Sequence, residues 1–489
     1  MANKVKGIDN FRSGIDCQNL QNHILLLKKE WNELCDTYLP YLPPNPIWRF
    51  SRPPHPSDPA QGWKIHLSAT ILNAGKVLRS VAPLLQNLEI LYKAPISLEE
   101  LMKINSGIYY SYTQVGKFMT VYPKTEDGFV YLTKRLHRLT RNRSAPAVPF
   151  DFKYRNDGCV YYRFGVFRTQ VSENSDGSKI PALKSSDGEL VADDRETGSK
   201  TLDWVKNPFP QKTLPQSRSN NPFSISYRAF QALSQRGKGG VYQAFQMNNG
   251  SPQACVIKEG RKNGETDWDG RDGYWRMQNE ARVLQILRQS SVDTPRIYNS
   301  FELAGNFYLV TEFIEGENLQ KFLCRGKRRL PIQLALDYGI RIGKLITKIH
   351  DSGWVWRDCK PSNIILTPEG KLRPLDFEGA CPINKPDPFP WSTPSFAPPE
   401  VFSSPYKKSN LSEDLFALGT FLFLLIEGRL PVFDANFLPP KITRRAVPGK
   451  IKQVVYALLS YDPEQRPGAQ FVVRIFKMAQ DNLRQIARE

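Results

Sequence analysis

With 489 residues, 40% hydrophobic and 11% aromatic, the chain has material for two or three ordinary globular cores. No apolar run reaches the roughly eighteen residues that cross a bilayer, the N-terminus does not read as a signal peptide, and the seven cysteines never form a C-x-x-C pair; neither a membrane span nor a disulfide frame nor a zinc site is expected, and a cytoplasmic location is. The formal charge of +19 favours acidic partners such as nucleotide phosphates or an acidic peptide, but the basic residues are scattered without a nucleic-acid-binding motif, so neither nucleic acid nor membrane is expected as a partner.

Helical periodicity runs over Asn19–Leu39 and Leu98–Ile104, and alternation marks strands at Trp63–Leu67, Lys117–Tyr122 and Val160–Phe167. In the first strand Lys64 and His66 stand two residues apart, so both side chains point to one face. A cation beside an acid suits the expulsion of a phosphate. Further basic residues are Lys93 in Leu91-Tyr-Lys93, Lys117 in Gly116-Lys-Phe-Met-Thr-Val-Tyr-Pro123, and Arg163 and Arg168 in Tyr161–Arg168. Read from the residues alone, this set is either an anion site or a scatter of surface charges. From residue 172 to residue 222 Ser, Asp, Gly, Asn and Pro dominate, which predicts a loop or linker between a first domain over residues 1–171 and a second over residues 223–489.

The second domain opens with Leu233-Ser-Gln-Arg-Gly-Lys-Gly-Gly-Val-Tyr-Gln-Ala244. Gly237, Gly239 and Gly240 would let backbone N–H groups approach nucleotide phosphates; a plain turn is the other reading. Ala254-Cys-Val-Ile-Lys258 reads as a strand whose lysine holds the α- and β-phosphates and pairs with Glu280 on the following helix. Tyr308–Gly316 reads as a strand and connector for adenine, held by the backbone around Glu312, with Thr311 at the back of the pocket. The most specific segment is Trp356-Arg-Asp-Cys-Lys-Pro-Ser-Asn363. There Asp358 would orient the substrate hydroxyl, Lys360 would neutralise the transferring phosphate, and Asn363 would hold magnesium together with Asp376, thirteen residues on. Ala397-Pro-Pro-Glu400, Asp414 and Arg466 follow, with Arg466 expected to pair with Glu400. The order resembles a eukaryotic-type protein kinase, which implies a bilobal fold using ATP or GTP with Mg2+. Two positions depart from that pattern: Trp356 stands for the expected histidine and Glu378 for the glycine after Asp376-Phe377.

Gln61–Ala74, Gly116–Pro123 and Tyr161–Arg168 resemble the phosphoserine/phosphothreonine lyase domain of class III and class IV lanthipeptide synthetases. Those enzymes join such a lyase to a kinase that commonly carries Asp-Phe-Glu, as Asp376-Phe377-Glu378 does here. The resemblance implies an α+β chain: a lyase-like domain followed by a bilobal kinase domain. It implies Lys93 as the base that removes the Cα proton, His66 as the acid for the departing phosphate, and Lys64 as a phosphate- or enolate-stabilising cation. Lys117 and Arg163 become phosphate contacts, with Tyr122 and Arg168 beside them. The implied function is a bifunctional dehydratase: Ser/Thr of a precursor peptide is phosphorylated, and phosphate is eliminated to give dehydroalanine or dehydrobutyrine. The chain ends just after the kinase's last helix, so a separate cyclase is the expected partner for ring closure. Ile108–Val115 carries no basic residue where the family often places an arginine. The alternative is a Ser/Thr protein kinase whose N-terminal domain only binds substrate or a partner.

Overall fold

The computed structural model describes residues 17–44, 47–167, 171–173, 179–193, 202–209, 226–248, 251–325, 329–387, 391, 393–403 and 410–486. Its first unit is built on six antiparallel strands: β1 (Trp48–Phe50), β2 (Gln61–Leu67), β3 (Leu91–Pro95), β4 (Met119–Tyr122), β5 (Phe152–Lys153) and β6 (Val160–Val166). They lie in the order β1-β3-β4-β2-β6-β5. Helices α1 (Cys17–Tyr38), α2 (Ala74–Asn87) and α4 (Glu126–Thr140) contribute to the core on one face, and α3 (Leu98–Ser106) follows β3. Period-two alternation sorts the side chains. Trp63, Ile65 and Leu67, with Tyr92, Val121 and Tyr162, join that core, so Lys64, His66, Lys93 and Arg163 fall on the opposite face. Each fully buried aliphatic or aromatic side chain in such a core stabilises the fold by about 2 kcal/mol. A charge at Ile65 would therefore strike the middle of the sheet.

The stretch expected to be loop differs at its start. Residues Val171–Glu173, Lys179–Lys184 and Leu190–Ala192 form β7, β8 and β9, a small antiparallel sheet. Gln61 is joined to the backbone of Lys184 by two 2.7 Å hydrogen bonds, and Ala182, Leu183 and Asp193 are buried. Short strands around Ser, Asp and Gly turns carry too few alternating positions to stand out from coil. Beyond residues 202–209, the later part of that stretch lies outside the described residues.

The second unit is bilobal. β10 (Tyr227–Arg236), β11 (Gly239–Asn248), β12 (Ser251–Gly260), β13 (Ile297–Leu303) and β14 (Asn306–Glu312) form an antiparallel sheet in the order β10-β11-β12-β14-β13. Helix α5 (Gly273–Gln289) packs on it. The helical lobe contains α6 (Ile332–Asp351), α7 (Leu411–Glu427), α8 (Gly449–Leu458) and α9 (Ala469–Ile486). α7 is buried along nearly its whole length. It starts at Asn410, whose side chain accepts from the Ser412 N–H, and stops at Gly428, whose φ of 69° suits the left-handed cap. Among the described residues, no helix is long and apolar enough to cross a membrane.

The two units touch. The Gly237 N–H donates to the Ser106 carbonyl at 2.9 Å, Arg261 hydrogen-bonds the Tyr112 hydroxyl, and Trp268 is buried in the core of the first unit.

Candidate functional site

On the face of the six-stranded sheet opposite its core lies a cavity of about 430 Å³, lined by Lys64, His66, Lys93, Lys117, Tyr122 and Arg163 among others. Antiparallel register explains the convergence. Lys93 lies opposite Thr120, Thr120 opposite His66, and Lys64 opposite Arg163. Arg168 lies outside the described residues.

Two acids that no local pattern marks complete this site. Asp151, in the loop before β5, meets His66 Nδ1 at 2.5 Å through one oxygen and Lys117 Nζ at 3.2 Å through the other. Asp193, just after β9, meets Arg163 at 2.5 Å. Lys64 donates to the Val166 carbonyl at 2.9 Å, and the Lys93 ammonium lies 4.4 Å from the centre of the Trp48 ring.

Burial pushes His66 down to about 3, against the pull of Asp151. At neutral pH its ring is therefore neutral, donating Nδ1–H to Asp151 and keeping a lone pair on Nε2. Burial works to raise the Asp151 carboxyl, but Lys117 and His66 outweigh it and hold it well below the usual carboxylate range. Four cations facing two carboxylates leave two positive charges in the pocket, the complement of a phosphate monoester dianion.

In the second unit the catalytic-loop residues converge. Asp358 accepts from Lys360 at 2.7 Å and from the Asn363 amide at 2.8 Å. The Thr393 hydroxyl donates to the other Asp358 oxygen at 2.9 Å and accepts from Lys360 at 2.6 Å, a bridge that the motif reading did not contain. Asp414 accepts the backbone N–H groups of Trp356 and Arg357 at 2.8 and 2.7 Å. That anchor supports Arg357 at a φ of 70°; Asp376 lies at 61°, a strained region for a non-glycine residue and one that clusters at functional sites. Trp356 stacks on Phe377 with ring centres 5.3 Å apart and donates its indole N–H to the Asp376 carbonyl at 3.0 Å. The tryptophan thus braces the Asp376-Phe377-Glu378 loop. Arg466 holds Glu400 through two bonds of 2.6 and 2.9 Å.

For the nucleotide, Lys258 meets Glu280 at 2.6 Å. Burial works to lower Lys258, but Glu280 and Asp376 outweigh it, so the ammonium stays charged. Burial would raise the Asp376 carboxyl, while Lys258 and Lys238 hold it ionised. Thr311 is buried opposite Val256 on the sheet. The Glu312 carboxylate is engaged by Arg373 at 2.7 and 2.9 Å and its N–H by the Arg296 carbonyl at 2.8 Å, so its own carbonyl is the backbone group a base could meet. Gly237 departs from the sequence reading. Its N–H is directed to Ser106 and not to a phosphate, and a Cβ there would come within 1.7 Å of the Asn105 carbonyl oxygen. Its bareness serves a close approach between the two units. Gly239 likewise packs on the Glu259 carbonyl, and a Cβ on Gly240 would meet the Tyr242 hydroxyl.

The donor set suits magnesium. The amide nitrogen of Asn363 is committed to Asp358, which leaves its oxygen as a ligand, and the Asp376 carboxylate has no hydrogen bond among the described residues. Hard oxygens with room for phosphate and water are what this ion takes.

Residues 43–221 match the family described as RamC, N-terminal domain, and residues 227–475 match the protein kinase domain family. The probable SapB synthase of Streptomyces coelicolor is 30% identical over 366 residues, covering 72% of this chain and 39% of that protein. A cAMP-dependent protein kinase catalytic subunit of Arthrobotrys oligospora is 32% identical over 181 residues, 36% of this chain and 33% of that one. The serine/threonine-protein kinase PknA of Mycobacterium tuberculosis is 23% identical over 257 residues, 49% of this chain and 58% of its own length. The chain thus spans less than two thirds of each of these relatives.

Proposed function

Because this chain belongs to the protein kinase family, we propose that it phosphorylates serine and threonine of a precursor peptide and then eliminates the phosphate, as class III and class IV lanthipeptide synthetases do. The observation that carries the second step is the pocket of two net positive charges that holds both Lys93 and His66.

In the first step Asp358 accepts the hydrogen bond of the attacking hydroxyl, and Thr393 and Lys360 fix its orientation. Lys360 balances charge on the transferring group. Asn363 and Asp376 would hold magnesium, which when bound neutralises charge on the nucleotide phosphates.

In the second step the phosphorylated residue enters the sheet pocket, where Lys117, Arg163 and Lys64 receive the ester dianion. As the ester binds, the Lys93 ammonium gives its proton to His66, which leaves the pocket's net charge unchanged. Lys93, now a neutral amine, removes the Cα proton, the freed electron pair forms the Cα–Cβ double bond, and the Cβ–O bond breaks. With Asp151 as the carboxylate beside it, His66 is neutral until the ester binds. The ester's two negative charges favour its imidazolium, whose Nε2 proton goes to the departing phosphate oxygen, while Asp151 keeps the ring aimed.

The test is mass spectrometry of a precursor peptide after incubation with the protein, ATP and Mg2+. Loss of one water per site is expected for the wild type, and accumulation of phosphorylated peptide for Lys93→Ala or His66→Ala. Dehydration that continues unchanged in both variants would refute the lyase step.

A second reading has one observation in its favour. Lys117 and Arg163 are already paired with Asp151 and Asp193, as in a site that binds without turning over. A wild-type product that keeps its phosphate would establish that reading.

A further inference from the structure

Lys238 stands at the turn between β10 and β11, flanked by two anchored glycines. Gly237 is bonded to Ser106, and Gly239 lies so close to the Glu259 carbonyl that an added Cβ would come within 1.7 Å of its oxygen. The turn is thereby fixed from both sides. What it sends toward the metal-binding loop is the lysine ammonium, which forms an ion pair with Glu378.

Glu378 occupies the place where kinases of the usual pattern carry glycine, and only 5% of its side chain is exposed. Its backbone is held by Asn279, whose amide donates to the Glu378 and Ala380 carbonyls at 3.1 Å each. Two residues earlier, Asp376 lies in the field of both Lys258 and Lys238. In most protein kinases the glycine-rich loop covers the phosphates. Here the Gly237 amide is engaged elsewhere, and a second lysine stands over the same place.

We propose that Lys238 grips the terminal phosphate of a bound nucleoside triphosphate, with Glu378 as the positioning residue that aims it. This rests on the kinase reading above. Lys258, paired with Glu280, serves the inner phosphates, so the two lysines divide the triphosphate between them. A diphosphate leaves Lys238 with only Glu378 to hold.

The test measures binding of ADP and of a non-hydrolysable ATP analogue, each with Mg2+, to the full chain and its variants. Lys238→Met should weaken the triphosphate roughly tenfold or more, the worth of one charge-assisted hydrogen bond, and leave ADP unchanged. Lys238→Arg should restore most of the loss. Glu378→Gln should give a smaller loss of the same kind, and adding it to Lys238→Met should cost nothing further. Equal weakening of both nucleotides would make Lys238 a structural latch and overturn the assignment, as would no weakening of either. Wild-type protein that binds neither nucleotide would instead refute the kinase reading itself.

Discussion

Thr393 is the residue whose removal asks the narrowest question of the kinase site. Valine in its place keeps the shape but deletes the hydroxyl that joins Asp358 to Lys360. The turnover number should fall roughly tenfold, with the KM for ATP nearly unchanged, in a steady-state phosphorylation assay. In the other pocket His66 sets an acid sensitivity. Its ring ionises near 6.5 in an unfolded chain and is pushed down to about 3 in the fold, so the unfolded chain takes up the proton first as pH falls. The stability it contributes is complete above its unfolded value and drains away toward its folded one. By about pH 5 the loss should reach about 2 kcal/mol. Asp151 adds its own loss only below the ordinary carboxylate range. Urea unfolding of the wild type and of His66→Gln, followed from neutral to about pH 5, should show this slope in the wild type alone. Residues of this kind divide sharply by legibility. Asp358, Lys360, Asn363 and Asp376 could be picked out as candidates because phosphoryl-transfer sites use such residues at short, fixed spacings. Asp151 stands 85 residues from His66, and Glu378 stands 140 from Lys238, so nothing local pointed to either pair.

Among elements, the long alternating strands and amphipathic helices were plain in the sequence. The helix expected over Asn19–Leu39 runs over Cys17–Tyr38, and the strand expected over Trp63–Leu67 runs over Gln61–Leu67. Alternation also put Lys64 and His66 on one face, because a strand buried on one side has little freedom of register. The β7–β9 sheet escaped notice, since its strands are short and Pro181 interrupts the middle one. The β10–β11 turn was read for its glycines, but their purpose is partly tertiary. Alanine at Gly237 would drive a methyl into the Asn105 carbonyl, a backbone atom that cannot rotate aside. The variant should lose about 1–3 kcal/mol, as other overpacked sites do, and its thermal unfolding should show the two units parting earlier than in the wild type.

At the scale of the whole molecule the two pockets draw on separate residues, and their chemistry should separate too. Asp358→Asn should abolish phosphorylation yet still dehydrate a peptide supplied already phosphorylated, at the wild-type rate, as followed by mass spectrometry. A loss of both activities would mean that the elimination needs a working kinase site. The units nevertheless share a seam. Ser106, which receives the Gly237 N–H, follows Asn105, whose side chain accepts from the Gly116 N–H beside Lys117. On the proposed function, a nucleotide that displaced the hairpin tip would also displace the residues beside Lys117 in the other pocket. Linkage makes such an effect symmetrical: by whatever factor nucleotide alters the hold on phosphopeptide, phosphopeptide alters the hold on nucleotide. On the proposed function, measuring that factor from both directions would show whether the Gly237–Ser106 contact joins the two sites in one equilibrium; a factor of one would make them independent.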